Sequence, residues 1–161
     1  MTLPSGVTLR PVEPEDRAFL YAVYASTRTE ELAAVPWTDE QKAAFLWQQF
    51  TAQDASYREN YRDAQFSVIE LDGVPVGRLY VARLEAREIR IVDIALMPDG
   101  RGHGIGSAVV DDLIETADRE GVVVSLHVEH WNPALQLYER LGFVRVAQND
   151  VHIRMERPPV S

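Results

Sequence analysis

The sequence predicts an α/β (α+β) fold: one domain on a mixed, mostly antiparallel sheet of six to seven strands. Three observations carry that expectation. Residues 64–71 and 76–83 are strand-like runs joined by Asp72-Gly73, a hairpin turn signal, and a run at 88–97 extends them into an antiparallel meander. That last run is followed by a glycine-rich turn, a helical stripe and a second apolar run at 122–129. A strand, a crossover helix and another strand imply parallel pairing of the two runs. Finally, 143–147 and 151–155 read as a closing hairpin through Asn149-Asp150.

Each element has a local reason. Val7-Thr8-Leu9-Arg10 is a short strand ended by Pro11. Pro14 suits a first helical turn, Glu15 and Asp16 complement its dipole, and Phe19, Leu20, Val23 and Tyr24 give the stripe of a helix over 14–26. Thr38-Asp39-Glu40-Gln41 is a capping box. Ala43, Leu46, Trp47 and Phe50 follow at i, i+3, i+4 and i+7, the apolar face of a second helix, and residues 32–37 form the loop between the two. Downstream, Ile105, Ala108, Val109, Leu113 and Ala117 make a buried stripe that Gly121 ends at C′. Residues 122–129 begin almost wholly apolar, as a strand buried on both faces does. Asn132 caps a last helix with Pro133 at N1, Ala134, Leu137, Tyr138 and Leu141 face inward, and Gly142 terminates it. The tail from Arg157 reads as frayed.

Composition narrows the function. A chain of 161 residues has room for one substantial core. No run of eighteen apolar residues suggests a membrane span, and Met1–Thr2–Leu3–Pro4–Ser5–Gly6 has neither the basic nor the apolar part of a signal peptide. Zero cysteines exclude disulfides, a thiolate nucleophile and cysteine-ligated metal, and the four histidines are not spaced as ligands. A cytoplasmic protein without metal is expected. Sixteen basic against 25 acidic residues, a net charge of −9, argue against a nucleic-acid partner. An acidic surface serves solubility and also draws in cationic amines.

The chemistry concentrates where the 88–97 strand runs into Gly102, Gly104 and Gly106. A strand feeding a glycine-rich turn and a helix N-terminus is an anion site, because the first-turn amides lack helical acceptors and the macrodipole adds positive charge. Glycines let a phosphate approach the backbone, and Arg101 adds a fixed cation. A Walker A loop is excluded, since Gly106 is followed by Ser107-Ala108 rather than by lysine. A dinucleotide fingerprint could start at Gly102 and Gly104, with Glu129 as the ribose acid. Its third glycine is Ser107, however, and about fifty residues are too few for the βαβ series it should begin.

The pattern R/Q-x-x-G-x-G/A is met in full by Arg101, Gly104 and Gly106, and it resembles the acetyl-CoA pyrophosphate loop of the GNAT N-acetyltransferase superfamily. A second stretch is similar to that family's N-x-x-A/P-x-x-L-Y-x-x-x-G-F signature, through Leu137, Tyr138, Gly142 and Phe143, with Asn132 one position nearer to Leu137 than the signature has it. The two motifs, in order, cover about residues 88–143. The resemblance implies a GNAT domain over 1–161 with helices on both faces of the sheet and acceptor-side helices at about 14–60. It also implies a parallel strand pair that splays at its C-terminal ends to hold CoA. Cofactor contacts would come from Leu96, Met97, Arg101, Gly102, His103, Gly104, Ile105, Gly106, Ser107, Asn132 and Tyr138.

The implied reaction moves an acetyl group from acetyl-CoA to a primary amine, on a small molecule or peptide, by direct attack in a ternary complex. A backbone N–H near Leu96 would polarise the thioester carbonyl. Tyr138 matches the family's proton donor to the sulfur. For the base, His127 stands near the end of its strand with a side chain that titrates near neutrality. Asp93 is a carboxylate within an apolar strand, and Glu129 shares strand parity with His127. Tyr21, Tyr24, Trp37, Trp47, Tyr57 and Tyr61 make the acceptor side aromatic. The alternative is a non-catalytic acyl-CoA-sensing module, against which Asn132 and Tyr138 both speak. No membrane partner is expected, and the chain is read as a monomer or homodimer.

Overall fold

The computed structural model describes residues 3–85 and 87–160. Among them, seven strands form one sheet: β1 (Val7–Pro11), β2 (Gln65–Leu71), β3 (Val74–Leu84), β4 (Glu88–Leu96), β5 (Val123–Glu129), β6 (Val144–Gln148) and β7 (His152–Arg157). Their spatial order is β1-β2-β3-β4-β5-β7-β6, antiparallel throughout except for the parallel β4–β5 pair. Five α-helices accompany them: α1 (Arg17–Ser26), α2 (Thr29–Ala33), α3 (Asp39–Asn60), α4 (Ile105–Glu120) and α5 (Ala134–Arg140). No described helix is long and apolar enough to cross a membrane.

Local chemistry fixes most boundaries. The Thr38 hydroxyl accepts from the Gln41 amide at 3.1 Å while the Gln41 side chain takes the Thr38 amide at 2.9 Å, so the capping box closes. Asp72 and Gly73 both adopt positive φ, 52° and 80°, the geometry of a tight hairpin between β2 and β3. The Asn132 side chain accepts from the Ala134 amide at 2.9 Å, a turn that leads into α5, whose N-cap position is Pro133 where Asn132 was expected.

The main core lies between the sheet and α4. Ile89 and Ile91 of β4, and Val124 and Leu126 of β5, pack with Ile105, Val109, Val110 and Ile114. The opposite face of β2–β4 is covered by α1 and α3, whose own small core is Leu20, Tyr24 and Phe50. Two expectations change here. The α3 stripe buries only Phe50 fully, and Trp47, set edge-on against Tyr21 of α1, stays 45% exposed at the helix surface. The connection before α3 also holds a short helix, α2, anchored by buried Leu32, where a plain loop was expected.

Two features of β4 position the site. Val92 has no partner on β3: Tyr80 pairs with Asp93 and Val81 with Ile91, so an extra residue bulges out. The bulge resets side-chain alternation, and Arg90 and Asp93, three positions apart, both meet α3 or its C-terminal cap through tyrosine hydroxyls. Beyond the bulge the strands separate. Parallel pairing runs from Glu88–Val123 to Ile91–Leu126 and stops, although β4 continues to Leu96 and β5 to Glu129. The expected pairing along 88–97 is thus confined to its first half, and a gap opens between the C-terminal ends.

Candidate active site

Alternation of hydrogen bonds decides which groups of β4 edge the gap. The Met97 amide donates to the Val76 carbonyl at 2.8 Å, and the Met97 carbonyl accepts from Gly100. Leu96, paired with Gly77, is therefore a non-hydrogen-bonded position whose N–H and C=O point away from β3. The Leu96 carbonyl accepts from Arg101 Nε at 2.9 Å, which leaves its N–H as the donor facing the gap. Of the two residues expected to bond an extended ligand there, Leu96 is so oriented, and Met97 spends its amide on β3.

At the end of the gap lies the glycine loop. Gly102 and Gly104 adopt φ of 79° and 77°, a conformation costly for any L side chain, and space is open where a Cβ would project from either. Gly106 differs: it lies within α4, and its constraint is a Leu96 methyl 3.6 Å from a Cβ. The first bond of α4 runs from the Ala108 amide to the Gly104 carbonyl, so the amides of Ile105, Gly106 and Ser107 have no helical acceptor. These bare amides and open glycine surface suit a pyrophosphate. His103 is exposed beside them. Arg101 Nη2 also reaches Ser26 Oγ at 3.3 Å, tying the loop to the end of α1.

Tyr138 is 7% exposed, packed edge-on to Phe143 with ring centroids 5.6 Å apart. Among the described residues its hydroxyl has no hydrogen-bond partner, although a buried tyrosine ordinarily finds one. Burial pushes this hydroxyl up to about 12, and the charges of Asp93 and Glu129 add to the shift. One carboxylate belongs to β4 and the other to β5, each past the point where pairing stops. Tyr138 thus stands among groups from both lips of the gap.

Asp93 is already engaged. Its Oδ2 accepts from Arg78 Nη2 at 2.8 Å and from the Tyr57 hydroxyl at 3.0 Å. Arg78 is 3% exposed, donates to Gln53 of α3 at 2.9 Å and lies over the Tyr80 ring. Burial and then the Asp93 charge keep the Tyr57 hydroxyl protonated far above its ordinary range. Glu129 holds Asn132 through Nδ2 at 3.0 Å, so both ends of the Asn132 side chain serve local structure.

His127 faces other company. Partial desolvation lowers its pKa, and Arg90, Arg154 and His152 lower it further against the opposing charge of Glu88. The structure gathers Tyr138, Asp93, Glu129 and Asn132 and sets His127 among arginines. Arg78 and Gln53 were missed by sequence reasoning, and Tyr57 was named only as one of the acceptor-side aromatics, not as a partner of Asp93. Their only trace was Asp93 itself, a carboxylate in an apolar run that calls for partners. Among the described residues, no three candidate ligands gather as a metal site requires.

The sequence profile of the acetyltransferase (GNAT) family matches residues 20–143. An uncharacterized N-acetyltransferase of Methanocaldococcus jannaschii is 40% identical over 86 residues, which span 48% of this chain and 38% of that protein. The ribosomal protein bS18-alanine N-acetyltransferase of Escherichia coli is 27% identical over 139 residues, covering 85% of this chain and 87% of that one. In three dimensions, the crystal structure of the PaiA N-acetyltransferase from Thermoplasma acidophilum in complex with coenzyme A superposes with a TM-score of 0.71. It covers 94% of this chain and 98% of its own at 15% identity, a likeness of fold.

Proposed function

The chain belongs to the acetyltransferase (GNAT) family, and on that premise we propose that it moves an acetyl group from acetyl-CoA to a primary amine by direct attack in a ternary complex. Acetyl-CoA supplies the activated acyl group as a thioester. The observation that carries the reading is Tyr138: a buried phenol, fully protonated at neutral pH, with no hydrogen-bond partner for its hydroxyl among the described residues and with a carboxylate on each side of the gap.

The chain's own residues divide the work. The amides of Ile105, Gly106 and Ser107, with the open surface over Gly102 and Gly104, hold phosphate charge. The Leu96 N–H donates where negative charge develops on the acyl oxygen. Tyr138 keeps a proton for the departing sulfur and regains it from solvent. Glu129 takes the ammonium proton, directly or through a water. It is preferred to Asp93, whose carboxylate is pinned by Arg78, and to His127, whose neighbours are cations.

Thiol release on mixing the protein with acetyl-CoA and a panel of amines tests the reading. Amine-dependent release is expected. Binding of acetyl-CoA without release by any amine would instead identify a non-catalytic acyl-CoA-binding module. For the base, Glu129→Gln should lower kcat by about 10²–10⁴-fold with acetyl-CoA still bound, while His127→Gln should retain kcat. The opposite pattern assigns the base to His127.

A further inference from the structure

Upstream of Glu129, the polar face of β5 continues through His127 and Ser125 into an open cleft of about 640 Å³. Helix ends meet its rim: Tyr61, which caps α3, reaches Arg90 through its hydroxyl at 3.4 Å, and Glu120 at the end of α4 takes Arg83. Four arginines and three glutamates line the cleft together with His127, in a chain whose net charge is −9.

The partners of these groups leave donors over. Glu88 is taken by Arg90 at 3.1 Å and by the Ser125 hydroxyl. Glu156 is taken by Arg154 at 2.8 Å. Arg154 still has a buried Nε with no acceptor, and Arg87 is exposed with no ion pair among the described residues. His127 and Arg154 sit opposite one another across the β5–β7 ladder, which brings their side chains within about 5 Å. Desolvation lowers the His127 pKa, and the charges of Arg90 and Arg154 lower it further.

The geometry points to an anion subsite for the acceptor: the amine acetylated here carries a carboxylate that docks between His127, Arg154 and Arg87. This rests on the acetyltransferase reading and names its substrate class. Two residues of strand separate His127 from Glu129, about 7 Å. An α-amino acid, with two bonds between amine nitrogen and carboxylate carbon, spans only about 3 Å and cannot reach both. An ω-amino acid, or a peptide N-terminus followed by an acidic side chain, can.

Steady-state thiol release at saturating acetyl-CoA tests the subsite, with ε-aminocaproate compared against hexylamine. A second pair, glycyl-glutamyl-glycine against its glutamine analogue, asks whether the carboxylate arrives on a peptide. A charge-assisted contact predicts about a 10–100-fold advantage in kcat/KM for the anionic member of at least one pair. Arg154→Gln should bring that ratio toward one, chiefly through KM. Hexanoate, which has the anion and no amine, should compete with the favoured substrate, a readout that needs no variant. Turnover of hexylamine with no anionic advantage in either pair overturns the subsite and leaves the acetyltransferase reading standing. No thiol release from any amine overturns both.

Discussion

Replacing Tyr138 with phenylalanine removes one oxygen from a side chain that is 7% exposed and leaves its edge-on contact with Phe143 in place. The lost hydroxyl makes no hydrogen bond to a described residue, so deleting it breaks nothing in the fold. Stability should move by less than about 1 kcal/mol in either direction, and acetyl-CoA affinity should barely change. Turnover should not be spared. Loss of a general acid costs about 10²–10⁴-fold in rate, or about 2.7–5.5 kcal/mol on the barrier. The assay is thiol release at saturating acetyl-CoA, paired with urea unfolding of both proteins. The wild-type profile adds a check. A phenol pushed up to about 12 keeps its proton across the neutral and mildly alkaline range, so any alkaline limb near pH 10 belongs to another group. Turnover of the variant within about threefold of wild type would make Tyr138 a packing residue and refute its role. A destabilisation well above about 1 kcal/mol would show that the hydroxyl is structural.

Two further perturbations test the surroundings. Gly104→Ala should cost about 1–2 kcal/mol of stability from its left-handed φ alone, since nothing lies within 4 Å of the new methyl. It should also weaken acetyl-CoA binding at least about tenfold, and unchanged affinity by calorimetry in the folded variant would refute the phosphate cradle. Far from the gap, Asp16 accepts both guanidinium branches of Arg10 at 2.8 Å and the Glu13 amide at 2.8 Å. The Arg10 hydrogen bonds hold its carboxyl below the usual carboxylate range, with burial opposing. Its stabilisation is therefore complete above the unfolded value near 3.9 and disappears as pH falls through the lower folded one. Asp16→Asn should cost about 1.5–3 kcal/mol at pH 7 and little at pH 2, and an equal cost at both would refute the charge argument.

Features that depend on residues close in sequence were legible. Thr38 and Gln41 announced a helix start, Asp72-Gly73 a hairpin and Arg101–Gly104–Gly106 an anion loop, because each forms its bonds within a few residues. The parallel β4–β5 pair followed from the crossover rule, and the GNAT resemblance supplied the splay. What escaped joins distant segments. Arg78, Tyr57 and Gln53 converge on Asp93 from 15 and 36 positions away or through each other, and no local periodicity encodes that meeting. The α3 stripe misled because apolar spacing states which face is greasy, not whether a sheet lies against it. Trp47 rests edge-on against Tyr21 at 5.1 Å and stays at the surface. His127 stood out by its titration range, but its surroundings come from Arg90 on one neighbouring strand and Arg154 on the other.

The unpaired Val92 turns β4 into something like a message with a frameshift. Before it, Ile89 and Ile91 are spelled toward α4. After it, that face is resumed by Ile94, and Asp93 is free to be spelled toward Tyr57. Were the bulge ironed flat with Val92 taking its own place in the ladder, every letter downstream would change sides: the carboxylate would be driven into the oily layer under α4, and Ile94 would stand where Arg78 waits for a counterion. Deleting Val92 does the reverse. Tyr80 stays opposite Asp93 and Val81 opposite Ile91, now as consecutive pairs, so the letters keep their sides and only the local kink is lost.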